Sequence, residues 1–535
     1  MKDKVKILDC TLRDGGYYND WNFSTLLVEK YLKAMEYSGV DIVELGFRFR
    51  FEAKEMGSYA FTSEKFLETL KLPQNLKYAV MINFKDFEDI PKGLNKELKK
   101  FFIPKQDSKI SIVRIAVSFN DAIKTKDICL LLKKMGYEVF LNLMQSNNKN
   151  DKEIKETCLA LASWKSIDAL YFADSLGNMT PKDVTEAYKK IFRYWKGPVG
   201  FHSHDNKGLA FVNSLELINK NIDFCDSTMM GMGRGAGNAS TESILMELNA
   251  SGAKKTNFEL LEASLEDFRK LKLKYNWGKN TYYHYAANNN IHPTYVQTML
   301  SDSRYDSSDI LDVLKRLPSQ KSSRFSAAAI IDSIFTKKEI ILGDWDPKDF
   351  FKNQNIILIG GGPSVKRFKQ KILNIHLNDN AKLVFLNHNK YISHSKGELT
   401  IISHPLRAII DSNKYSNISH PIVLPLKNLK DIVLDDHLKG LKTFNYGLNI
   451  KKGSFLANKY SMISEWEIVN AYALGIIYRA NPKKIFIAGF DGYPNDFRKH
   501  NEVEKIFQRY KALKNSKNLY SITPSSHSKK FVKEI

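Results

Sequence analysis

Phe201-His202-Ser203-His204-Asp205 sets two imidazoles two residues apart. On an extended strand that spacing turns both side chains to one face, so at a strand end both can reach a single ion. A carboxylate to join them is offered by Asp14, in Thr11-Leu12-Arg13-Asp14-Gly15-Gly16-Tyr17. One carboxylate and two imidazoles with open positions make a site for a catalytic divalent cation. Mixed oxygen and nitrogen ligation fits Mn²⁺ or Mg²⁺. Arg13 adjoins that ligand, where a fixed cation would stabilise developing negative charge. The competing reading of Arg13 is a structural ion pair with a nearby carboxylate.

Elements able to position these groups are visible on either side. Short apolar runs recur at Val5–Cys10, Ile42–Gly46, Tyr78–Asn83, Ile110–Val117, Glu138–Leu143, Ala169–Ala173, Val199–His202 and Phe224–Met230. Between them lie amphipathic stretches such as 24–35, where Val28, Tyr31, Leu32 and Met35 share one face and Ser24 is suited to the N-cap. Eight strands, each followed by a helix, in about 250 residues predict a (β/α)₈ barrel. Near-continuous apolar strands fit a parallel sheet covered by helices. The polar and glycine-rich segments Thr11–Tyr17, Asp174–Gly177, His202–Asn206 and Gly231–Asn238 all follow strands. They therefore fall at the carboxyl rim, where barrels of this kind carry their active sites. Three regions are expected: a barrel over 1–255, a helical extension and linker over 256–345, and, after the linker-like Gly343–Pro347, a Rossmann-like α/β domain over 350–535.

Bulk composition narrows the classes. The chain has 535 residues, 81 Lys and Arg against 59 Asp and Glu, and a formal charge of +22. The basic residues are scattered rather than gathered with aromatics into a strip, so a solvated lysine-rich surface is expected and no nucleic-acid partner. Cys10, Cys129, Cys158 and Cys225 form no CxxC pair and read as free thiols of a reducing, cytoplasmic setting. No leader-like or membrane-spanning apolar run is present in the sequence.

Four motifs, in order, resemble the DRE-TIM metallolyase superfamily, which includes 4-hydroxy-2-oxovalerate aldolases and hydroxymethylglutaryl-CoA lyases. They are Asp9–Tyr17, Asp174-Ser175-Leu176-Gly177, His202-Ser203-His204-Asp205 and Gly231–Asn238. The resemblance implies that Asp14, His202 and His204, supported by Asn238, hold the metal. It implies that Arg13 stabilises an enolate and that Ser175 binds the substrate carboxylate. The implied reaction makes or breaks a C–C bond next to a 2-oxo acid, through a pyruvate enolate and an aldehyde. Family barrels often dimerise, so a homodimer is expected. Tyr17 stands where the aldolases carry a histidine base; a tyrosine titrates far higher and suits holding a hydroxyl or relaying through water. His284 and His292 are further candidates for proton transfer. Arg48, after the second strand, is a candidate for a substrate carboxylate or phosphate, and its surroundings resemble aldolase-like proteins of bacterial surface-polysaccharide synthesis. Synthases of the superfamily carry glutamates at the positions of Gly16 and Arg234, so a Claisen-type acyl-CoA condensation is the lesser alternative.

In the last region, Asn355–Ile359 reads as a strand and Gly360-Gly361-Gly362-Pro363-Ser364 as a tight turn into a helix. Backbone amides of such a turn can hold a phosphate. The run is not a full GxGxxG, and Asn387 rather than an acid closes the next strand. Ser464-Glu465-Trp466-Glu467 reads as a capping box opening a helix through about Tyr478. The region resembles sialyltransferase-like Rossmann-type domains. That resemblance implies a nucleotide or nucleotide-sugar at Gly361, Gly362, Ser364 and Asn387, with His500 or His527 as base. A glycosyltransferase beside a scaffold barrel is thus a further alternative.

Overall fold

The computed structural model describes residues 5–50, 56–90, 93–146, 149–301, 305, 307–317, 340–404, 407–408, 411, 414–415, 418–426, 440–451, 453–493 and 497–535. The chain divides into two compact units, Met1–Ala327 and Ala328–Ile535.

The first unit is the expected barrel. Strands β1 (Lys6–Asp9), β2 (Ile42–Phe47), β3 (Lys77–Asn83), β4 (Ile112–Ser118), β5 (Glu138–Met144), β6 (Ala169–Asp174), β7 (Val199–Ser203) and β8 (Phe224–Ser227) pair in sequence order. β8 closes on β1 in parallel, with Lys6 beside Phe224 and Asp9 beside Ser227. Leu8, Ile42, Ile112, Phe140, Tyr171 and Phe224 pack inside the barrel, while alternate residues such as Ile7, Val43 and Val113 pack on the outer helices. Burial on both faces is why these strands read as unbroken apolar runs. Ser24 caps the helix Thr25–Tyr37, its Oγ accepting from the Leu27 N–H at 3.4 Å. β8 stops earlier than its apolar run, because Met229–Gly231 turns into a 3₁₀ segment and Met230 takes φ +50°. Helices Phe258–Tyr275, Thr281–Asn288, Pro293–Leu300 and Ser307–Arg316 form the extension.

The second unit is a parallel sheet of β9 (Asn355–Ile359), β10 (Lys382–Leu386), β11 (Gly397–Ile401), β12 (Ile422–Leu424) and β13 (Thr443–Asn445), with β17 (Lys484–Ala488), β18 (Leu519–Ser521) and β19 (Val532–Glu534) on the other side of β9. The order runs 13-12-11-10-9-17-18-19, so the winding reverses between β9 and β17. Both faces are apolar: Ile356, Leu358 and Ile487 face one layer, and Ile357, Ile359 and Phe486 the other. A small sheet of β14 (Gly447–Ile450), β15 (Phe455–Ala457) and β16 (Ser461–Ser464) adjoins.

Two local expectations are corrected here. Ser464 does not cap a helix. It ends β16, paired with Ile450 and Phe455, and its Oγ accepts from the Trp466 N–H at 3.0 Å. The helix begins at Val469. Gly343–Pro347 is not a free linker: the Gly343 N–H donates to Tyr460 O at 2.8 Å and Trp345 stacks on Phe444 at 4.7 Å, which packs it against the second unit. Among the described residues, no helix is long and apolar enough to cross a membrane.

Candidate metal centre

Each functional side chain sits at the carboxyl end of a strand. Directly after β1 the chain makes a one-turn helix, Thr11–Asp14, which Asp9 secures by accepting the Thr11 N–H at 2.8 Å. Trp21 pins it from the other side, its indole N–H donating to Arg13 O at 2.8 Å. Gly16 is required for this approach, since a Cβ there would lie 2.1 Å from the Trp21 ring. His202 is the penultimate residue of β7, and His204 forms a bridge with Asn238 from the loop after β8.

The ligand atoms of Asp14, His202 and His204 all lie within 4.8 Å of one another. His202 Nε2 is 3.4 Å and His204 Nε2 3.9 Å from Asp14 Oδ2. The opposite ring nitrogens are engaged. His204 Nδ1 is 2.9 Å from Asp174 O, and a carbonyl can only accept, so the hydrogen sits on Nδ1 and the Nε2 lone pair faces Asp14. His202 Nδ1 is 2.9 Å from the Asp226 carboxylate, which orders that ring in the same way. Asp14 Oδ2, His204 Nε2 and Asn238 Oδ1 are buried without hydrogen-bond partners. Three such atoms converging is an expensive arrangement unless an ion satisfies them. A carboxylate, two imidazoles and an amide oxygen fit a divalent cation, although His202 Nε2 here lies 3.1 Å from Asn238 Nδ2. Gly233 leaves the room: a Cβ there would sit 1.7 Å from Asn238 Oδ1 and 3.1 Å from Asp14 Oδ2.

Behind the ligands runs a closed circuit of buried charge. Arg13 contacts Asp14 Oδ1 through NH1 and Glu44 Oε2 through Nε, both at 2.8 Å. Arg114 reaches Glu44 at 3.0 Å and Asp226 at 2.6 Å. Asp226 accepts from His202, which returns to Asp14. Burial acts to raise the Asp14 pKa, but Arg13 and then His202 overcome it and hold the carboxylate well below its ordinary range. His204 is pushed down to about 3 by burial and by the neighbouring His202. Burial opposes the charge on His202, yet the neighbouring carboxylates of Asp14 and Asp226 raise its pKa. Arg13 is ion-paired with Glu44 and Asp14, as the structural reading expects, and its charge stands beside the clustered side chains.

The remaining predicted residues separate. Tyr17 lies against Trp21 and Phe47, with the Arg234 guanidinium 5.5 Å from its ring centre. Burial raises its phenol pKa. Ser175 is buried and its Oγ accepts from the Gln145 N–H at 3.1 Å. Arg48 is a correction. It is buried against Glu64 at 2.7 Å and Thr62 O at 3.0 Å, with Phe101 O as a third acceptor, and is committed to the wall of the barrel. His292 caps Pro293–Leu300, with Nδ1 accepting from the Thr294 N–H at 3.3 Å. Burial, then Arg234 and His204, keep it neutral. His284 is exposed.

In the second unit the Gly361, Gly362 and Ser364 turn already holds an anion of its own. Asp491 accepts from the Ser364 N–H at 2.9 Å and from the Ser364 hydroxyl. A Cβ on Gly362 would lie 2.6 Å from Gly489 O. Asn387 takes φ +59°, donates its N–H to Ile401 O at 3.0 Å, and leaves Oδ1 buried and unpartnered. A phosphate on this turn would have to displace a carboxylate, so the turn does not form the open phosphate cradle expected of it. Glu44, Arg114 and Asp226 are the residues that sequence reasoning did not identify.

Residues 4–266 match the family model described as HMGL-like. The chain is 30% identical over 253 residues to a 4-hydroxy-2-oxovalerate aldolase of Pelotomaculum thermopropionicum, covering 46% of this chain and 71% of that protein. A protein of the same name from Geobacillus genomosp. 3 is 29% identical over 265 residues, 49% of this chain and 75% of its own. Among solved structures, the N-terminal domain of a "putative aldolase" from Bacteroides vulgatus is 34% identical, with a TM-score of 0.50, and is matched over 98% of its length and 56% of this chain.

Proposed function

We propose that this chain, which belongs to the HMGL-like family through its barrel, is a divalent-metal-dependent aldolase that makes or breaks a C–C bond beside the ketone of a 2-oxo acid, with pyruvate and an aldehyde as the fragments. The observation that carries this reading is the convergence of Asp14 Oδ2, His204 Nε2 and Asn238 Oδ1, all buried and unpartnered, next to His202 Nε2. Asp14, His202, His204 and the Asn238 side-chain oxygen would hold Mn²⁺ or Mg²⁺. The ion, when bound, supplies Lewis-acid polarisation of the carboxylate and ketone oxygens of the 2-oxo acid.

Arg13 cannot swing away, because Asp14 and Glu44 hold it from two sides. Its charge therefore stays beside the place where negative charge develops as the bond breaks, without reorganisation at that moment. Tyr17 stays protonated at neutral pH, since burial raises its phenol further. It serves as a hydrogen-bond partner for the substrate hydroxyl and passes that proton to water, rather than acting as a fixed base. Ser175 keeps its hydroxyl hydrogen for the substrate carboxylate, because its oxygen accepts from Gln145. The Arg234 cation over the Tyr17 ring adds positive potential at the mouth.

The test is hydrogen–deuterium exchange at the pyruvate methyl group in D₂O, followed by NMR, because it scores enolate formation without knowledge of the aldehyde. Metal-stripped protein resupplied with Mn²⁺, Mg²⁺ or Co²⁺ should exchange, and Asp14→Asn should not. Folded protein that exchanges with none of the three ions overturns the reading.

A further inference from the structure

A second cluster of ligand-type side chains lies in the other unit, where the barrel chemistry does not use it. His500 and Glu504 are one turn apart on the helix Phe497–Lys511, and His527 lies in the segment between β18 and β19. Glu504 Oε1 accepts from His527 Nδ1 at 3.1 Å and from the Ser528 N–H at 2.6 Å, and lies 4.0 Å from His500 Nε2. The two imidazoles stack with centroids 4.7 Å apart and 20° between planes. His527 is buried, and His500 Nδ1 is buried without a hydrogen-bond partner. Each of the three offers one ligand atom, and these atoms lie within 4.8 Å of one another.

The position of this cluster matters as much as its composition. The sheet reverses between β9 and β17, and in open α/β sheets ligands bind outside the carboxyl ends of the strands at that reversal. A cavity of about 550 Å³ opens there, lined by Ser364, Arg367, Phe368, Asp491, Ser525 and Ser526. Ser525 and Ser526 immediately precede His527. Ser526 is also near His500, since a Cβ on Gly492 would be 1.9 Å from Ser526 Oγ and 3.4 Å from His500 Nδ1.

Two imidazoles and a carboxylate, with a fourth position open, are the donor set of three-ligand zinc sites. We propose that the second unit binds a divalent transition-metal ion of the zinc class through His500, Glu504 and His527, beside the serine-lined cavity. The site is separate from the barrel centre and does not depend on the reading given to that centre.

The experiment counts zinc. Untagged full-length protein, metal-stripped and equilibrated with buffered Zn²⁺, is compared with three variants: His500→Ala/His527→Ala, Glu504→Gln and Asp14→Asn. Bound zinc is read by elemental analysis and affinity by competition with a chromogenic chelator. The double histidine variant should lose one zinc equivalent relative to the parent chain, and Asp14→Asn should keep that equivalent. Glu504→Gln, which conserves shape and guards against an unfolded double variant, should weaken the same equivalent at least about tenfold, the effect of removing one ligand-shell group. Pyruvate methyl exchange should be unchanged in both second-unit variants. Zinc number and affinity equal to the parent in folded Glu504→Gln and in the double variant would overturn the proposal and leave Glu504 as a hydrogen-bond partner of His527 only.

Discussion

Asp226→Asn probes the buried charge circuit most directly. Asp226 Oδ2 takes bonds from Arg114 at 2.6 Å and from His202 Nδ1 at 2.9 Å, and all three side chains are buried. Asparagine keeps the shape and removes the charge, with two separable consequences. Arg114 would retain one carboxylate, Glu44 at 3.0 Å. Breaking a buried pair from one side costs roughly 3–5 kcal/mol, and the surviving partner places this case near about 3 kcal/mol. At about 2 °C per kcal/mol for a unit of this size, the metal-free barrel should melt about 6 °C lower. His202 would lose the acceptor that keeps its hydrogen on Nδ1. An asparagine NH₂ would donate to Nδ1 and drive the hydrogen to Nε2, where a lone pair is needed. Loss of such an orienting partner weakens a metal about 10–100-fold, or about 1.4–2.8 kcal/mol. Calorimetric titration of metal-stripped protein with Mn²⁺ reads the second effect and thermal melting reads the first. A variant that melts lower yet binds Mn²⁺ with parental affinity would refute the orienting role and leave Asp226 serving Arg114 alone.

Further outcomes follow from other contacts. Gly233→Ala should cut metal-dependent pyruvate exchange on the order of 100-fold, because its Cβ would meet Asn238 Oδ1 at 1.7 Å and shift a ligand by an ångström or more; comparing the exchange rate with circular dichroism separates this from unfolding. Arg48→Met should destabilise the barrel by about 2–5 kcal/mol, since Thr62 O and Phe101 O lose their donor and Glu64 its ion pair, while KM for the 2-oxo acid stays unchanged in steady-state kinetics. The metal-free protein should lose stability as pH falls from about 6.5 toward 3. His204, held at about 3 by burial and His202, refuses a proton that the unfolded chain accepts below about 6.5. Asp14, held well below its ordinary range by Arg13 despite burial, adds to the loss as pH falls through its folded value. His202 acts in the opposite sense: its raised pKa contributes stability below about 6.5 that is lost as pH rises through its folded value. Melting temperatures that stay level or rise from pH 6.5 to 4 would contradict the assignment of His204 as a neutral buried base.

The clustering of Asp14, His202 and His204 was legible because its parts are local. An HxH pair at a strand end and an acid after β1 carry their geometry in their spacing, and eight apolar runs fix which ends lie together. Glu44, Arg114 and Asp226 were not legible, because each is a lone charge inside an apolar strand whose partners are 24 to 112 residues away. A signal was present: Arg114 interrupts Ile112-Val113-Arg114-Ile115-Ala116-Val117, and a charge in such a run must be paired. Arg48 misled for a different reason. Simple alternation places it on the same face as Glu44, but the β2–β3 register shifts between Glu44 and Phe47, at Gly46 with φ +150°. An irregularity of that kind re-aims every later side chain. The glycine turn of the second unit misled because the anion that fills it, Asp491, comes from a loop 127 residues on.

The circuit also has an electrostatic sense that its members lack singly. Asp14, Glu44 and Asp226 set three negative charges against Arg13 and Arg114, a net of −1 with both imidazoles neutral. Under the proposed function, an anionic 2-oxo acid meets repulsion from that arrangement whenever His202 is neutral. A divalent cation on Asp14, His202 and His204 turns the sum to +1, which a single carboxylate neutralises. Metal and substrate are then expected to bind in that order, through charge balance as much as through coordination. Apolar replacement of a buried ion network is often neutral or stabilising, so the circuit is poorly explained by stability alone. Its value lies in rigidity: Arg114 fixes Glu44 and Asp226 together, Glu44 fixes Arg13, and Asp226 fixes His202. One buried guanidinium thereby holds both the Arg13 side chain and the His202 ring, the cation and one of the metal ligands of the proposed function.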